Sequence, residues 1–243
     1  AYDSADKVIV TEIPSGYAAP GNYKLKVENL LTTGGSTITP GEYDFSLRKS
    51  GDFCIESFAI TTDSGLAVEN ITDADNKKIK LGADIINTTP SAKNLIAYFV
   101  NYKDGILNEC SEKNLTIDSV SKQSLSDFSL AAADLANGRI VAIIKDKDSG
   151  EIYKKIVLDS GYIVPDDDKS IKFELKSEPN AEMFIEIIAP LADSNRVVYR
   201  DVKAADENGK INIVCGLGKS GAETENAKSG FYTLAATDSK GKT

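Results

Sequence analysis

Histidine and tryptophan are absent from these 243 residues, and methionine occurs once, at Met183. Without histidine the chain lacks the commonest general base and a common metal ligand. A Ser-His-Asp or Cys-His catalytic group cannot be assembled from it. Without tryptophan, and with aromatics at only 7%, it lacks the strongest stacking platform for a sugar ring. Cysteine is sparse: Cys54, Cys110 and Cys215 are an odd, widely spaced set that makes no disulfide framework, although one Cys54–Cys110 bridge stays open. No apolar run approaches the roughly 20 residues of a membrane helix. The longest, residues 185–192, is strand-sized and broken by Glu186 and Pro190. Positive charge is in deficit, with 28 Lys and Arg against 37 Asp and Glu and a net charge of −9. That balance speaks against nucleic acid, whose binding rests on clustered cations. It most simply keeps an exported protein soluble.

What the chain does have is the punctuation of β-structure. Apolar runs of about 5 to 8 residues end repeatedly in Lys103-Asp104-Gly105, Asp148-Ser149-Gly150 or Glu207-Asn208-Gly209. Asp-Gly, Ser-Gly and Asn-Gly supply the positive-φ positions of tight reversals, so each predicts a hairpin or short loop. Helical periodicity is almost absent, and residues 130–135 read as a turn between strands. A hydrophobic content of 41% with 27% charged residues excludes wholesale disorder. The fold class expected is therefore all-β, as tandem immunoglobulin-like antiparallel β-sandwiches.

Three pieces are expected. Residues 1–51 hold strands near 8–13, 22–30 and 42–47, too few for an independent sandwich, and read as the C-terminal strands of a partial Ig-like domain. Residues 52–160 carry seven strands, near 54–62, 78–87, 94–102, 106–117, 124–131, 139–145 and 151–158, the count of an Ig-like sandwich. Residues 95–100 and 140–144 are apolar at every position, as in central strands, whereas 78–81 alternate like a half-exposed one. Residues 161–169, with Pro165 and three aspartates, read as a linker. Residues 161–243 then form a second sandwich with strands near 170–176, 182–188, 197–204, 210–216 and 230–237, lacking its last strand. The chain begins at Ala1 without an initiator Met and closes on a turn, so both ends read as cut from something larger.

Residues 80–89 (Lys80-Leu81-Gly82-Ala83-Asp84-Ile85-Ile86-Asn87-Thr88-Thr89), followed by 94–105 (Asn94-Leu95-Ile96-Ala97-Tyr98-Phe99-Val100-Asn101-Tyr102-Lys103-Asp104-Gly105), resemble a recurring module. That module is the Ig-like or fibronectin-III-like β-sandwich of large extracellular proteins of Clostridia-like bacteria. Ala142-Ile143-Ile144-Lys145 resembles its closing strands; Glu178-Pro179-Asn180-Ala181 and residues 204–210 are similar to modules of the same proteins. Residues 22–27 and 43–47 resemble the end of a further such domain. The resemblance implies a secreted or cell-surface accessory module beside polysaccharide-degrading or surface-anchoring domains. It carries no catalytic residues across.

Several candidate sites follow. Tyr98 and Tyr102 share a strand face and are the expected ligand-binding residues of a sugar-binding module, with core packing as the other reading. Asp166, Asp167 and Asp168 are the expected metal ligands if calcium is bound, with Asp73-Ala74-Asp75-Asn76 a second oxygen-rich loop; a solvated linker and turn are the alternatives. Tyr153 and Tyr162 lie near turns. Sequons at Asn70, Asn87 and Asn114 read as chance. Paired carboxylates could in principle serve glycoside hydrolysis, but the acidic residues fall in turns and on alternating faces, so no enzyme is expected. The expected role is a non-catalytic structural or spacer module whose partners are other domains of a larger parent protein. The alternatives are a carbohydrate-binding accessory module with polysaccharide as partner, and an adhesin or filament subunit. Neither nucleic acid nor a membrane span is expected.

Overall fold

The computed structural model describes residues 2–3, 8–9, 21–28, 34–37, 39–47, 52–74, 76–132, 137–161, 170–189, 196–216 and 231–241. These are nearly all β, in several antiparallel sheets, with one short helix. They form two compact units, one from residues 1–53 with 88–90 and one from 54–87 with 91–243.

The first unit holds two strand pairs: β1 (Tyr2–Asp3) with β2 (Val8–Ile9), and β3 (Gly21–Val27) with β4 (Gly41–Leu47). Lys24 and Glu42 form an exposed ion pair on the second of these.

The second unit begins with β5 (Phe53–Thr62), α1 (Ile71–Ala74), β6 (Lys77–Asn87), β7 (Lys93–Lys103), β8 (Ile106–Ile117), β9 (Ser121–Ala132), β10 (Gly138–Asp146) and β11 (Ile152–Asp159). It continues through β12 (Ser170–Lys176), β13 (Glu182–Ala189), β14 (Arg196–Ala204), β15 (Lys210–Gly216) and β16 (Thr233–Asp238). The strands make three layers. One sheet has the order β5-β6-β9, a six-stranded sheet has the order β11-β10-β7-β8-β15-β12, and a third has the order β14-β13-β16.

Local chemistry accounts for the reversals. Asp104 (φ 50°) and Gly105 (φ 82°) form the two-residue turn between β7 and β8, with Lys103 paired to Ile106. At the opposite end, Asn87 is fully buried and its amide nitrogen lies 2.9 Å from the carbonyls of Ser91 and Asp118 and 3.2 Å from that of Ile117. A buried amide satisfied in this way fixes where β6 hands over to β7.

The six-stranded sheet is two pieces joined at one point. Only Gly216 and Ile106 pair between β15 and β8, in parallel, with the Gly216 N–H donating to the Gly105 carbonyl at 3.2 Å. A Cβ on Gly216 would sit 2.6 Å from that carbonyl oxygen, so this approach requires glycine.

Strands β7 and β10 lie in the middle layer, and both their faces are buried. Leu95, Ala97, Phe99 and Asn101, with Ile140, Ala142 and Ile144 opposite them, face the β5-β6-β9 sheet: Phe99 meets Phe128 at 6.0 Å and the Asn101 amide donates to the Ala131 carbonyl. Ile96, Tyr98, Val100 and Tyr102, with Val141 and Ile143, pack instead into a core shared with Phe184, Ile185 and Ile187 of β13 and Val198, Tyr199 and Val202 of β14. This second face explains the uninterrupted apolar runs at 95–100 and 140–144. Burying its six side chains is worth on the order of 10 kcal/mol at the usual value per apolar side chain. By contrast β6 alternates buried and partly exposed positions, as its Lys-Ile-Lys-Leu pattern predicts.

Candidate functional site in the shared core

A grouping of polar, charged and aromatic side chains lies where β13 and β14 pack against β7 and β10. Tyr98 is 6% exposed; its ring stacks on Phe184 at 5.5 Å with an interplanar angle of 15°, and the Arg200 guanidinium lies 3.9 Å from its centroid. Lys145 places its ammonium 4.0 Å from the Phe184 centroid. Two cations thus lie against two stacked rings, an arrangement in which the ring quadrupoles attract both. Arg200 Nε donates to Glu186 Oε2 at 2.6 Å, and Nη1 lies 3.1 Å from Cys110 Sγ and 3.4 Å from Glu112 Oε2. Burial pushes the Tyr98 phenol up to about 12 and the Lys145 ammonium down. For Arg200, burial works toward a lower value, but Cys110 and Glu186 outweigh it and the group is held above its ordinary range.

Tyr102 is more deeply set, at 1% exposure, beside Tyr199 at 5.8 Å. Its hydroxyl donates to the Arg200 carbonyl at 2.8 Å and accepts the Arg200 N–H at 2.7 Å. The register explains the pairing. The Ala205 N–H bonds to the Ala181 carbonyl, so the alternation along β13–β14 turns the Arg200 backbone away from β13. As β14 is an edge strand, that backbone needs an outside partner, which the Tyr102 hydroxyl supplies.

A second ionic group stands at the start of β10. Arg139 Nη1 lies 2.7 Å from Asp159 Oδ2, Nη2 donates to Asp201 Oδ1 at 3.1 Å, and Nε is 3.0 Å from Asp201 Oδ2 but off the line of a hydrogen bond. Asp201 is 1% exposed and also accepts from the Tyr199 hydroxyl and the Val202 N–H. Burial, then Asp201, drives the Tyr199 phenol well above its ordinary value. Shallow grooves flank this group. One of about 540 Å³ runs between Asn70, Ile71 and Thr72 and Leu158, Asp159 and Ser160; another of about 380 Å³ is rimmed by Arg139, Lys203, Asp206, Lys210 and Asn212.

The structure gives the expected site residues distinct places. Tyr98 and Tyr102 do share a face, but it lies inside the shared core. Neither offers the open ring that stacking on a sugar requires, because β13 and β14 cover that face. Asp166, Asp167, Asp168, Tyr162 and Asp75 lie outside the described residues. The Asp73 carboxylate is taken up locally by the Asn70 and Glu69 N–H groups, and among the described residues no three Asp, Glu or Cys side chains gather to hold a metal. Tyr153 donates to Asp146 in the β10–β11 turn. No disulfide joins Cys54 to Cys110; the Cys110 thiol faces Arg200 instead. Cys215 is buried, as its alternation with Ile211 and Ile213 predicts, and burial pushes its thiol up to about 12. Arg139, Glu186, Arg200 and Asp201 were not among the expected site residues. Of these only Glu186 carried a sequence signal, a charge at mid-strand between Ile185 and Ile187.

No protein-family model matches the chain, and no curated protein is similar to it. Among solved structures, the crystal structure of trypsin-activated alpha-2-macroglobulin from Escherichia coli aligns with 92% of this chain at 8% identity and a TM-score of 0.26. The chain spans 19% of that chain's length. Among the described residues no helix is long and apolar enough to cross a membrane.

Proposed function

We propose that this chain is a non-catalytic structural module, a stiff spacer within a secreted or cell-surface bacterial protein, whose partners are the other domains of that protein. One observation carries the reading: Tyr98, Tyr102, Arg200 and Glu186, the side chains best suited to bind a ligand, are spent on fastening one β-layer to another. A core that joins positions as far apart in the chain as Tyr102 and Arg200, 98 residues, suits a part that transmits position or load. The strand orders support an Ig-like reading in its fibronectin-III arrangement. The set β5-β6-β9 faces β8-β7-β10-β11, and the pair β12-β15 with β14-β13-β16 repeats the central part of that plan.

Affinity electrophoresis against soluble plant and bacterial polysaccharides, with calcium and with chelator, tests this role. The spacer reading expects no retardation in either condition. Retardation by any glycan would replace it with a carbohydrate-binding module.

A further inference from the structure

Tyr98, Tyr102, Arg200 and Glu186 are all engaged in the shared core, but one ionisable side chain on the same face is not. Lys145 follows Val141 and Ile143 along β10, so strand alternation turns it toward the face that β13 and β14 cover. Its register partners are apolar, Ile96 on β7 and Ile152 on β11. The ammonium lies 4.0 Å from the Phe184 centroid and 5.8 Å from that of Tyr98. Among the described residues it makes no ion pair and no hydrogen bond.

Neighbouring cations fare differently. Lys155 on β11 reaches Glu182, and Lys93 on β7 lies 3.8 Å from Asp146. Arg200 binds Glu186 at 2.6 Å and turns Nη1 toward Glu112 at 3.4 Å, so the carboxylates of this face are committed to the guanidinium. Lys145 is left with rings and aliphatic side chains.

A lysine becomes nucleophilic when it is desolvated, set near a second cation and not clamped by a carboxylate. All three conditions meet at Lys145. Burial, the largest influence, disfavours its ammonium; Glu186 favours the charge and Arg200 opposes it, and the balance holds the group below the ordinary lysine value. The Tyr98 phenol, pushed up to about 12, stays neutral beside it. The side chain is nevertheless partly exposed, so a small solute can reach the amine.

We infer that Lys145 is a covalent attachment site for a small aldehyde, which it holds as an imine against the shared core. The lone pair of the neutral Nζ attacks the carbonyl carbon to give a carbinolamine. The carbinolamine then loses its hydroxyl and the remaining N–H proton as water, and the C=N bond forms. One amine and one aldehyde thus yield one imine and one water. A compact carbonyl suits the place, because the amine lies against a ring and is only partly open. The site does not rest on the spacer reading: retardation by a glycan would replace that reading and leave Lys145 where it is.

The test treats the full chain with limiting isotope-labelled formaldehyde and cyanoborohydride, which delivers hydride to the imine carbon and leaves methyl-lysine. Peptide mass spectrometry then compares Lys145 with the exposed Lys147 and Lys154. The expected result near neutral pH is labelling of Lys145 about 3-fold or more faster than of either exposed lysine. Its rate is also expected to level off with rising pH below the ordinary lysine pKa of about 10.4. Labelling of Lys145 no faster than of Lys147 or Lys154, or a rate still climbing at that pH, overturns the inference.

Discussion

Removing one oxygen from Tyr102 is expected to cost as much as removing a sizeable core side chain. In Tyr102→Phe the ring still fills its place beside Tyr199, so packing is conserved, but the buried Arg200 N–H and C=O both lose their partner. Each bond is worth about 1 kcal/mol net, and stranding a buried backbone group costs about 1–3 kcal/mol. The two losses share one hydroxyl and partly overlap, which puts the expected destabilisation at about 2–4 kcal/mol. Tyr98→Phe serves as the internal control: same residue type, same strand face, no hydrogen bond holding the layers, and an expected cost under about 1 kcal/mol. Urea unfolding followed by circular dichroism measures both, and a true layer tether lowers the Tyr102→Phe midpoint with an unchanged slope. If the two variants fall within about 0.5 kcal/mol of each other, the Tyr102 hydroxyl does not fasten β14 and the reasoning is wrong.

Other expectations concern the joints of the fold. Gly216→Ala drives a methyl into the Gly105 carbonyl and should cost about 1–3 kcal/mol, read by thermal unfolding; a neutral result would mean that β15 and β8 are not held at this distance. Val120 holds a φ of 49° at 76% exposure, a poor conformation for a β-branched residue, so Val120→Asn should gain about 0.5–1 kcal/mol, and any loss would count against the strained turn. At Asp146, burial favours the neutral acid, but the Ser149 and Asp148 N–H groups and the Tyr153 hydroxyl win and hold its pKa below the ordinary carboxylate value. A depressed folded pKa contributes stability above the unfolded value, lost as pH falls through the folded one. The stability difference between the protein and Asp146→Asn should therefore be flat from pH 6 to 8 and shrink below about pH 4; a difference that grows on acidification contradicts this assignment.

The sequence was most legible where physics is local. Strands 106–117, 170–176 and 210–216 have the bounds their apolar alternation and flanking turns predict, and Asp104-Gly105 makes the two-residue turn that dipeptide favours. The burial of 95–100 on both faces was also readable, because a strand without polar positions has nowhere to meet water. What covers the second face was not. Tyr98 and Tyr102 look alike whether they line a binding strip or a core, and the choice is made by β13 and β14, about 90 to 100 residues further on. The Tyr102–Arg200 bonds join positions 98 apart, and no local pattern encodes them. Very short elements escaped for a related reason. Tyr2–Asp3 and Ile71–Ala74 are too brief to show a period, and α1 is set by the Asp73 carboxylate gathering the preceding N–H groups.

The central claim is that β7 and β10 are buried on both faces, so that residues 54–87 and 91–241 behave as one body. Native-state hydrogen exchange under increasing urea tests it most directly, comparing the β6 amides of Ile79, Leu81 and Ile85 with the β13 amides of Phe184, Ile185 and Ile187. The account predicts that both sets open with the same free energy and the same urea dependence. If the β13 set opens at markedly lower free energy while the β6 set stays protected, the layers are separate domains in contact and the shared core is not what unites them.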